Sequence, residues 1–258
     1  GRGGGERAGR SLGGGGGWGE APGGGRGPVV GGVGEGMDSG GARFGMPMHE
    51  PAARVIGEPA GSQGVALSYR GRILFSLVAE DSGAHRSGSP GPMTAAVNAA
   101  ASLIQITKNM GSGYNIAVME MEGHEAGKRS ASITLDLRTP IGADKEELEL
   151  MLKETAAAFE VGLEIIEYVP PHEVHKSDPV IRAFRNAIRE VSGEPPRVLA
   201  KQGTCDFNVL SPWGCPMGAY GPGDSRYDHS SDEQIEIKEF LRGVEVIKKA
   251  LPKIMAAI

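Results

Sequence analysis

The spacing of apolar residues in successive segments between Val65 and Glu167 constrains the fold of this chain more than any other feature. Apolar residues alternate in four segments, which predicts strands, and recur every three or four positions in two others, which predicts helices. The predicted strands cover 65–80, 114–121, 130–137 and 163–168, and the predicted helices cover 93–110 and 145–159. This strand–helix–strand–strand–helix–strand order predicts a ferredoxin-like α+β unit.

Outside that unit the pattern predicts short strands and two long helices. Arg54–Pro59 is interpreted as a strand that runs into a turn and leaves Glu58 at the rim of a cleft, since Pro59 favours an extended residue before it. Ser177-Asp178-Pro179 starts a helix that Gly193 ends. A terminal helix is predicted over 237–258. Its predicted buried residues are Phe240, Leu241, Val244, Ile247 and Leu251.

Composition argues against several classes of protein. The 258-residue chain carries a formal net charge of −5, so we do not expect a general nucleic-acid binder. No apolar run approaches the roughly 20 residues that span a bilayer, so we expect no membrane association. Two cysteines, Cys205 and Cys215, are too few for a disulfide framework, and no signal peptide is visible. A reduced, cytoplasmic setting is the simplest prediction.

Glycine dominates the first 45 residues, which hold 22 of the 42 glycines of the chain. At this density the loss of backbone entropy on folding is too large for a stable isolated helix or strand. Two interpretations stay open: a flexible, low-complexity tail, or a corrupted or degenerate version of a folded segment.

A turn-rich segment, residues 203–233, carries the candidate chemistry. The apolar run Cys215–Tyr220 predicts a buried strand that ends in the loop Gly221-Pro222-Gly223, and such strand ends often carry functional side chains. His229 follows in an acidic, hydroxyl-rich loop that would orient a neutral imidazole for a metal ion. By spacing alone, a surface histidine in a polar loop is the better interpretation, because one histidine is a weak signal for a metal site.

The motifs of this segment resemble those of the co-catalytic zinc amidohydrolases, which include acetylornithine deacetylase, succinyl-diaminopimelate desuccinylase and carboxypeptidase G-type enzymes. The resemblance rests on Gly203-Thr204-Cys205-Asp206, Tyr220-Gly221-Pro222-Gly223 and Asp228-His229. It implies an α/β catalytic domain, with a zinc-peptidase-like mixed sheet and flanking helices, that is interrupted by a ferredoxin-like lid and dimerisation domain. The implied division assigns 1–64 and 170–258 to the catalytic domain, its first part incomplete, and 65–169 to the lid.

The resemblance also implies two Zn²⁺ ions per subunit, with Co²⁺ as a substitute, and a homodimer formed through the lid. Glu58 and His229 match metal ligands that should converge across one cleft, although Glu58 read alone is a plain turn residue. Glu6 stands near the position of a bridging aspartate. Glu35 matches the general base that takes a proton from the attacking water. Because the family's first histidine ligand would lie upstream of Gly1, we expect this chain to bind zinc poorly and to turn over little.

His85 and Arg138 each have an implied role and a plainer alternative. His85 matches a histidine that crosses the dimer interface and polarises the scissile carbonyl in the partner's site, or else it caps a loop. Arg138 suits bidentate binding of a substrate carboxylate, or else it forms a structural ion pair with Asp136 or Glu164.

The substrate is likewise implied by resemblance. Asp206–Leu210 and Ala219–Ser225 most resemble hydrolases that release lysine or ornithine from the acidic amino-group carrier protein LysW in lysine and arginine biosynthesis. Thr204 and Asp206 are expected to hydrogen-bond the substrate and to order the loop near His229. One alternative is hydrolysis of a free N-acyl amino acid, such as acetylornithine or succinyl-diaminopimelate. An alternative of another class is a catalytically inactive dimerisation or binding remnant.

The predicted lid is rich in basic residues, which suggests either a docking face for the acidic carrier or an ordinary solvated surface. These residues are Arg70, Arg72, Arg86, Lys108, Lys128 and Arg129.

Overall fold

Two large sheets with helices packed against them organise the chain. The computed structural model describes residues 17–20, 26–29, 39–48, 50–83, 90–124, 127–227 and 230–258. The strands are β1 (Gly17–Glu20), β2 (Arg26–Val29), β3 (Arg54–Ile56), β4 (Gly64–Tyr69), β5 (Gly71–Asp81), β6 (Asn115–His124), β7 (Arg129–Thr139), β8 (Gly162–Val169), β9 (His172–Glu173), β10 (Arg197–Lys201) and β11 (Met217–Ala219). The helices are α1 (Gly40–Gly45), α2 (Gly91–Asn109), α3 (Lys145–Ala158), α4 (Pro179–Ser192), α5 (Asp206–Val209) and α6 (Ile237–Met255). None of these helices has the length and apolarity needed to cross a bilayer.

The four-stranded sheet confirms the predicted ferredoxin-like unit. Its strands run antiparallel in the order β6-β7-β5-β8, with α2 between β5 and β6 and α3 between β7 and β8. The alternating residues of β5 and β7 supply fully buried side chains on one face, including Phe75 and Leu135. Leu103 of α2 and Leu152 of α3 pack into the same core. The alanines of α2 let that helix lie close to the sheet, since a methyl group fills little space between the two backbones.

The second large sheet draws its strands from both sides of this unit. Its order is β10-β4-β11-β3, with β9 also paired to β4. β3 and β11 are parallel and adjacent, and Ile56 lies opposite Ala219. The carboxyl ends of two parallel strands therefore meet at one edge, where loops most often carry functional groups. The loops that follow these strand ends contain Glu58 and Tyr220–Asp224.

The predicted single strand over 65–80 is wrong, because the structure has two strands that break at Arg70. β4 belongs to the sheet with β10 and β11, whereas β5 belongs to the four-stranded sheet. Gly71 permits the crossing, since a Cβ at this position would collide with the side chain of Thr139 and with Pro171. The sheet therefore changes at Arg70, five residues after the proposed start of the lid at Val65, and the division at 64/65 stays a proposal.

The predicted buried face of the terminal helix is wrong in part. Phe240 and Leu241 are 52% and 56% exposed, and Val244 is 38% exposed. The buried residues of α6 are instead Gly243, Val246, Ala250 and Ile254. Small residues on this stripe let α6 approach α4 and the ring of Pro222 closely, and the bulkier apolar side chains are left on the flank.

Two truncations on α6 test this assignment of its faces. Val246→Ala should lower the free energy of unfolding by about 2 kcal/mol, because it removes fully buried methyl groups. Leu241→Ala removes more apolar volume but should cost less than about 0.5 kcal/mol, because the side chain is largely solvated. Urea denaturation of the two variants measures both values, and a larger loss for Leu241→Ala would contradict the packing described.

Candidate functional site

Backbone hydrogen bonds join the Glu58 loop to the loop that follows β11. The N–H of Tyr220 donates to Ile56 O at 2.9 Å, and the N–H of Ala60 donates to Gly221 O at 2.9 Å. The N–H of the next residue, Gly61, donates to Gly223 O, also at 2.9 Å. The half-buried Glu58 is therefore held beside the segment that leads to residues 228 and 229.

Gly221 makes this contact between the two loops close. A Cβ at Gly221 would lie 2.8 Å from Glu58 O and 3.1 Å from the Glu58 carbonyl carbon. Side chains larger than hydrogen would push the Glu58 backbone away, since a Cβ contact under 3.0 Å with a backbone atom requires one of the two to move. The glycine of the Tyr-Gly-Pro-Gly motif thus has a steric function at this position.

Glu239 of α6 ties the same two loops from the other side. Its Oε1 accepts hydrogen bonds from the N–H groups of Ser62 at 3.0 Å and Gly223 at 3.2 Å. Tyr220, which is 1% exposed, donates its hydroxyl to Ser62 O at 3.1 Å. Burial raises the pKa of Tyr220, so its hydroxyl stays protonated and remains a donor across the ordinary pH range. The sequence analysis did not identify Glu239, although a carboxylate in the first turn of a helix is a known signal for backbone N–H partners.

A cavity of about 470 Å³ opens beside these loops. Its lining residues are Pro59, Pro222, Gly223, Asp224, Glu233, Gln234 and Ile235. A hydrogen bond from the Arg226 guanidinium lowers the pKa of Asp224 to about 2, so that carboxylate is ionised at neutral pH. The cavity therefore has two acidic residues in its lining: Asp224, which is ion-paired with Arg226, and Glu233.

The predicted metal ligands lie mostly outside the described residues. This holds for Glu6 and His229, and also for the predicted catalytic residues Glu35 and His85. Across the described ranges, no three His, Cys, Asp or Glu side chains form a group that could hold a metal ion. Glu58 is the predicted metal ligand that lies within the described residues. Its loop is fixed against the loop leading to His229, and its role as a ligand stays a prediction.

Arg138 forms the ion pair that the sequence analysis offered as its alternative role. Its Nη2 lies 2.9 Å from Asp136 Oδ2. The same oxygen is 3.2 Å from Arg72 Nε, so Asp136 lies between two guanidinium groups. The carboxylate partner holds Arg138 in place, and a role in substrate binding stays a prediction.

Asn208, a residue the sequence analysis missed, connects the two sheets. Its Nδ2 donates to Arg70 O at 3.1 Å and Pro170 O at 3.0 Å, the two points where the chain passes between the sheets. Its Oδ1 accepts from the N–H of Cys205 at 3.1 Å, which completes a capping box at the start of α5. Thr204 adds a hydrogen bond from Oγ1 to Arg70 O at 2.8 Å. Thr204 therefore ties its loop to the crossing at Arg70, and its predicted roles in substrate binding and in ordering the loop near His229 stay predictions.

Three of the six basic residues named for the predicted lid form ion pairs. Arg72 pairs with Asp136 and Glu167, Lys128 pairs with Glu80, and the buried Arg129 pairs with Asp81. Arg86 lies outside the described residues. Among the described residues, Arg70 and Lys108 have no ion-pair partner, so the hypothesis of a basic docking face on the lid stays a prediction.

Comparison with known proteins gives a consistent result. The profile described as peptidase family M20/M25/M40 matches residues 20–253. A Pyrococcus furiosus protein provisionally described as a LysW-lysine/LysW-ornithine hydrolase is 33% identical over 226 residues, which cover 84% of this chain and 62% of that protein. A LysW-lysine hydrolase of Deinococcus radiodurans is 29% identical, and the match covers 86% of this chain and 64% of that protein. The chain thus spans less than two thirds of the length of these relatives.

Solved structures show the same fold. The aminopeptidase PepT from Bacillus cereus aligns with a TM-score of 0.67 at 18% identity, over 88% of this chain and 64% of that one. An M20 family metallo-carboxypeptidase from Sulfolobus solfataricus aligns with a TM-score of 0.65 at 16% identity, over 84% of this chain and 66% of that one. These likenesses confirm the predicted fold class: an α/β sheet domain together with a ferredoxin-like unit.

Paired glycine substitutions test the steric function of Gly221. Gly221→Ala should lower the free energy of unfolding by about 1–3 kcal/mol, because the new methyl group displaces the Glu58 backbone. Gly57→Ala is the matched control, since a Cβ there meets no atom within 4 Å, and it should be neutral or slightly stabilising. Urea denaturation compares the two, and equal effects would show that the close approach at Gly221 is unimportant.

An isosteric change tests the connection made by Asn208. Asn208→Asp replaces a buried donor with an acceptor that faces two carbonyl groups, so unfolding should become easier by about 3 kcal/mol or more. Asn186→Asp makes the same chemical change on the exposed surface of α4 and should stay within about 0.5 kcal/mol of the parent chain. Calorimetric melting curves give both values. A neutral Asn208→Asp variant would refute the connection.

Proposed function

The chain belongs to peptidase family M20/M25/M40, and we propose that it is a metal-dependent hydrolase of a linear amide bond. One observation carries the proposal: the hydrogen-bonded approach of the Glu58 loop to the loop leading to His229, at the carboxyl ends of two parallel strands. The two loops lie at an edge of the sheet where functional groups most often occur.

The names of the relatives support a proposal for the substrate of this chain. Proteins at 33% and 29% identity are described as hydrolases of LysW-lysine or LysW-ornithine. Under the proposal, this chain acts on lysine or ornithine joined to the acidic carrier protein LysW in lysine and arginine biosynthesis. Hydrolysis of a free N-acyl amino acid is the competing enzymatic function.

The proposed metal site uses Glu58 and His229 as ligands, with Glu6 near the bridging position. Two zinc ions, or cobalt in their place, would polarise the scissile carbonyl and lower the pKa of the attacking water. Glu35 would take the proton from that water and pass it to the leaving amine. His85 from a second subunit would donate a hydrogen bond to the carbonyl oxygen as negative charge develops there.

Asp206 is the best-supported substrate contact among the proposed ones. Its Oδ1 is buried and accepts no hydrogen bond from the described residues. A buried carboxylate oxygen without a donor costs free energy, so a donor from the substrate would be favourable there. Arg138, already oriented by Asp136, would bind a substrate carboxylate from the lid side.

The proposed enzyme is a cytoplasmic homodimer. Cys205 and Cys215 are both free thiols, which suits a reducing compartment. β6 lies at an edge of the four-stranded sheet and exposes Met119 and Met121 at 58% and 52%. Exposed apolar residues on an edge strand are a suitable surface for pairing with a second copy of the lid.

Release of free amino acid tests the proposed function. The purified chain, with Zn²⁺ or Co²⁺ added, should release lysine from LysW-lysine slowly, and EDTA should stop the release. Glu58→Gln should lower the rate at least about tenfold through the loss of a ligand charge. The matched control, Glu50→Gln at an exposed glutamate, should leave the rate unchanged. Mass spectrometry of the released amino acid provides the measurement.

The same assay separates the alternatives. Release from N-acetylornithine or N-succinyl-diaminopimelate, but not from LysW-lysine, would favour the free-substrate function. No release from any of the three, together with no heat of Zn²⁺ binding by calorimetry, would contradict the hydrolase proposal and favour an inactive remnant.

A further inference from the structure

We propose that a groove beside α4 docks an acidic segment of a partner polypeptide. This α4 groove is a cavity of about 680 Å³, to which β4, α4, β10 and the segment after β9 each contribute. Its lining residues are Leu67, Ile141, Glu173, Val174, His175, Lys176, Arg185 and Val198. Apolar side chains cover much of the lining, and Lys176 and Arg185 bring positive charge to it.

The positive charge continues from the groove along α4. Arg182, Arg185 and Arg189 stand at positions i, i+3 and i+7, so they lie within about 60° of one another around the helix axis. Arg182 and Arg189 are exposed and Arg185 is half-buried. The opposite face of α4 is buried against the sheet and α6, so the three arginines must face outward.

The cations of this surface have no neutralising partner among the described residues. Within the described part of the chain, none of Lys176, Arg182, Arg185 and Arg189 takes part in an ion pair. The Nε of Arg185 is buried and has no hydrogen-bond partner among the described residues. Elsewhere, the carboxylate of Glu190 on the same helix binds Lys253 of α6 at 2.9 Å. A buried guanidinium donor without an acceptor favours a ligand that supplies a carboxylate.

The groove favours a polypeptide over a nucleic acid as the occupant. Net charge does not decide between the two, since the −5 of the chain repels an acidic peptide and a nucleic acid alike. Glu173 lines the groove and adds a local negative charge. A peptide can place carboxylates on the arginines and apolar side chains on Leu67 and Val198, whereas a phosphate backbone has nothing to offer the apolar lining. Val198 is 41% exposed, so a peptide can contact its side chain directly.

This inference goes beyond the proposed function, because docking requires none of the residues proposed to bind metal. An acidic carrier protein is one partner with the right chemistry. The surface would serve any acidic polypeptide that also carries apolar side chains, and the test uses such a peptide directly.

Fluorescence anisotropy tests the docking with the full chain and a labelled peptide of alternating glutamate and leucine. The peptide should bind saturably and more weakly as salt rises, since exposed charges are screened. The double substitution Arg182→Glu with Arg185→Glu should weaken binding at least about tenfold. The matched control, Lys108→Glu with Lys238→Glu, changes the net charge equally at exposed sites away from the groove and should have less than about a twofold effect.

Two further measurements complete the test. Val198→Asn should also weaken peptide binding, because the apolar contact is lost while the exposed edge position keeps the fold intact. Equal weakening by the groove and control variants would overturn the proposal, as would no saturable binding. A single-stranded oligonucleotide that binds the groove more tightly than the peptide would also overturn it.

Discussion

The hydrogen bonds of Asn208 hold together a chain that passes twice between two sheets. The backbone carbonyl of Arg70 lies where the chain enters the four-stranded sheet, and that of Pro170 lies where the chain leaves it. The side-chain amide of Asn208 donates to both carbonyls. Asn208 is fully buried and both hydrogen bonds are partly buried, so loss of this donor would cost free energy on folding. The loop that carries Asn208 also carries Thr204 and Asp206, so the proposed substrate contacts depend on the same connection.

The candidate site depends on backbone packing more than on any visible cluster of charged groups. Two loops meet because Gly221 has no side chain, and Glu239 supplies one carboxylate oxygen to a donor from each loop. Such an arrangement fixes the backbone on both sides of the proposed metal site with little freedom to adjust. Charge is divided in a related way, since Arg72, Lys128 and Arg129 of the lid are ion-paired while the arginines of α4 face solvent.

The sequence predicted what short-range patterns encode. Alternation and helical periods were sufficient for the ferredoxin-like unit, and the Pro59 and Gly-Pro-Gly turns located the loops that meet at the site.

Periodicity could not choose between the two apolar faces of α6, because Gly243 and Ala250 determine the packing through their small size. The break at Arg70 was invisible because apolar alternation continues from β4 into β5. Asn208 was missed because its acceptors lie 138 and 38 positions away. The role of Glu58 as a metal ligand stays a prediction, as do those of the ligands that fall outside the described residues.

The pairing of β5 with β8 has a consequence for the order in which the chain folds. Arg72 lies opposite Val169, so the two ends of the four-stranded unit are neighbours once that unit has formed. Contacts inside the unit join residues that are at most about 100 positions apart in the sequence. The contacts of β3 and β4 with β10 and β11 join residues on opposite sides of the whole unit in the sequence. If the unit folds first, its ends are already close together. The effective loop between the two halves of the other sheet is then short, and less conformational entropy is lost when that sheet forms. We therefore infer that the inserted unit acts as the folding nucleus that brings the two halves of the other sheet within reach.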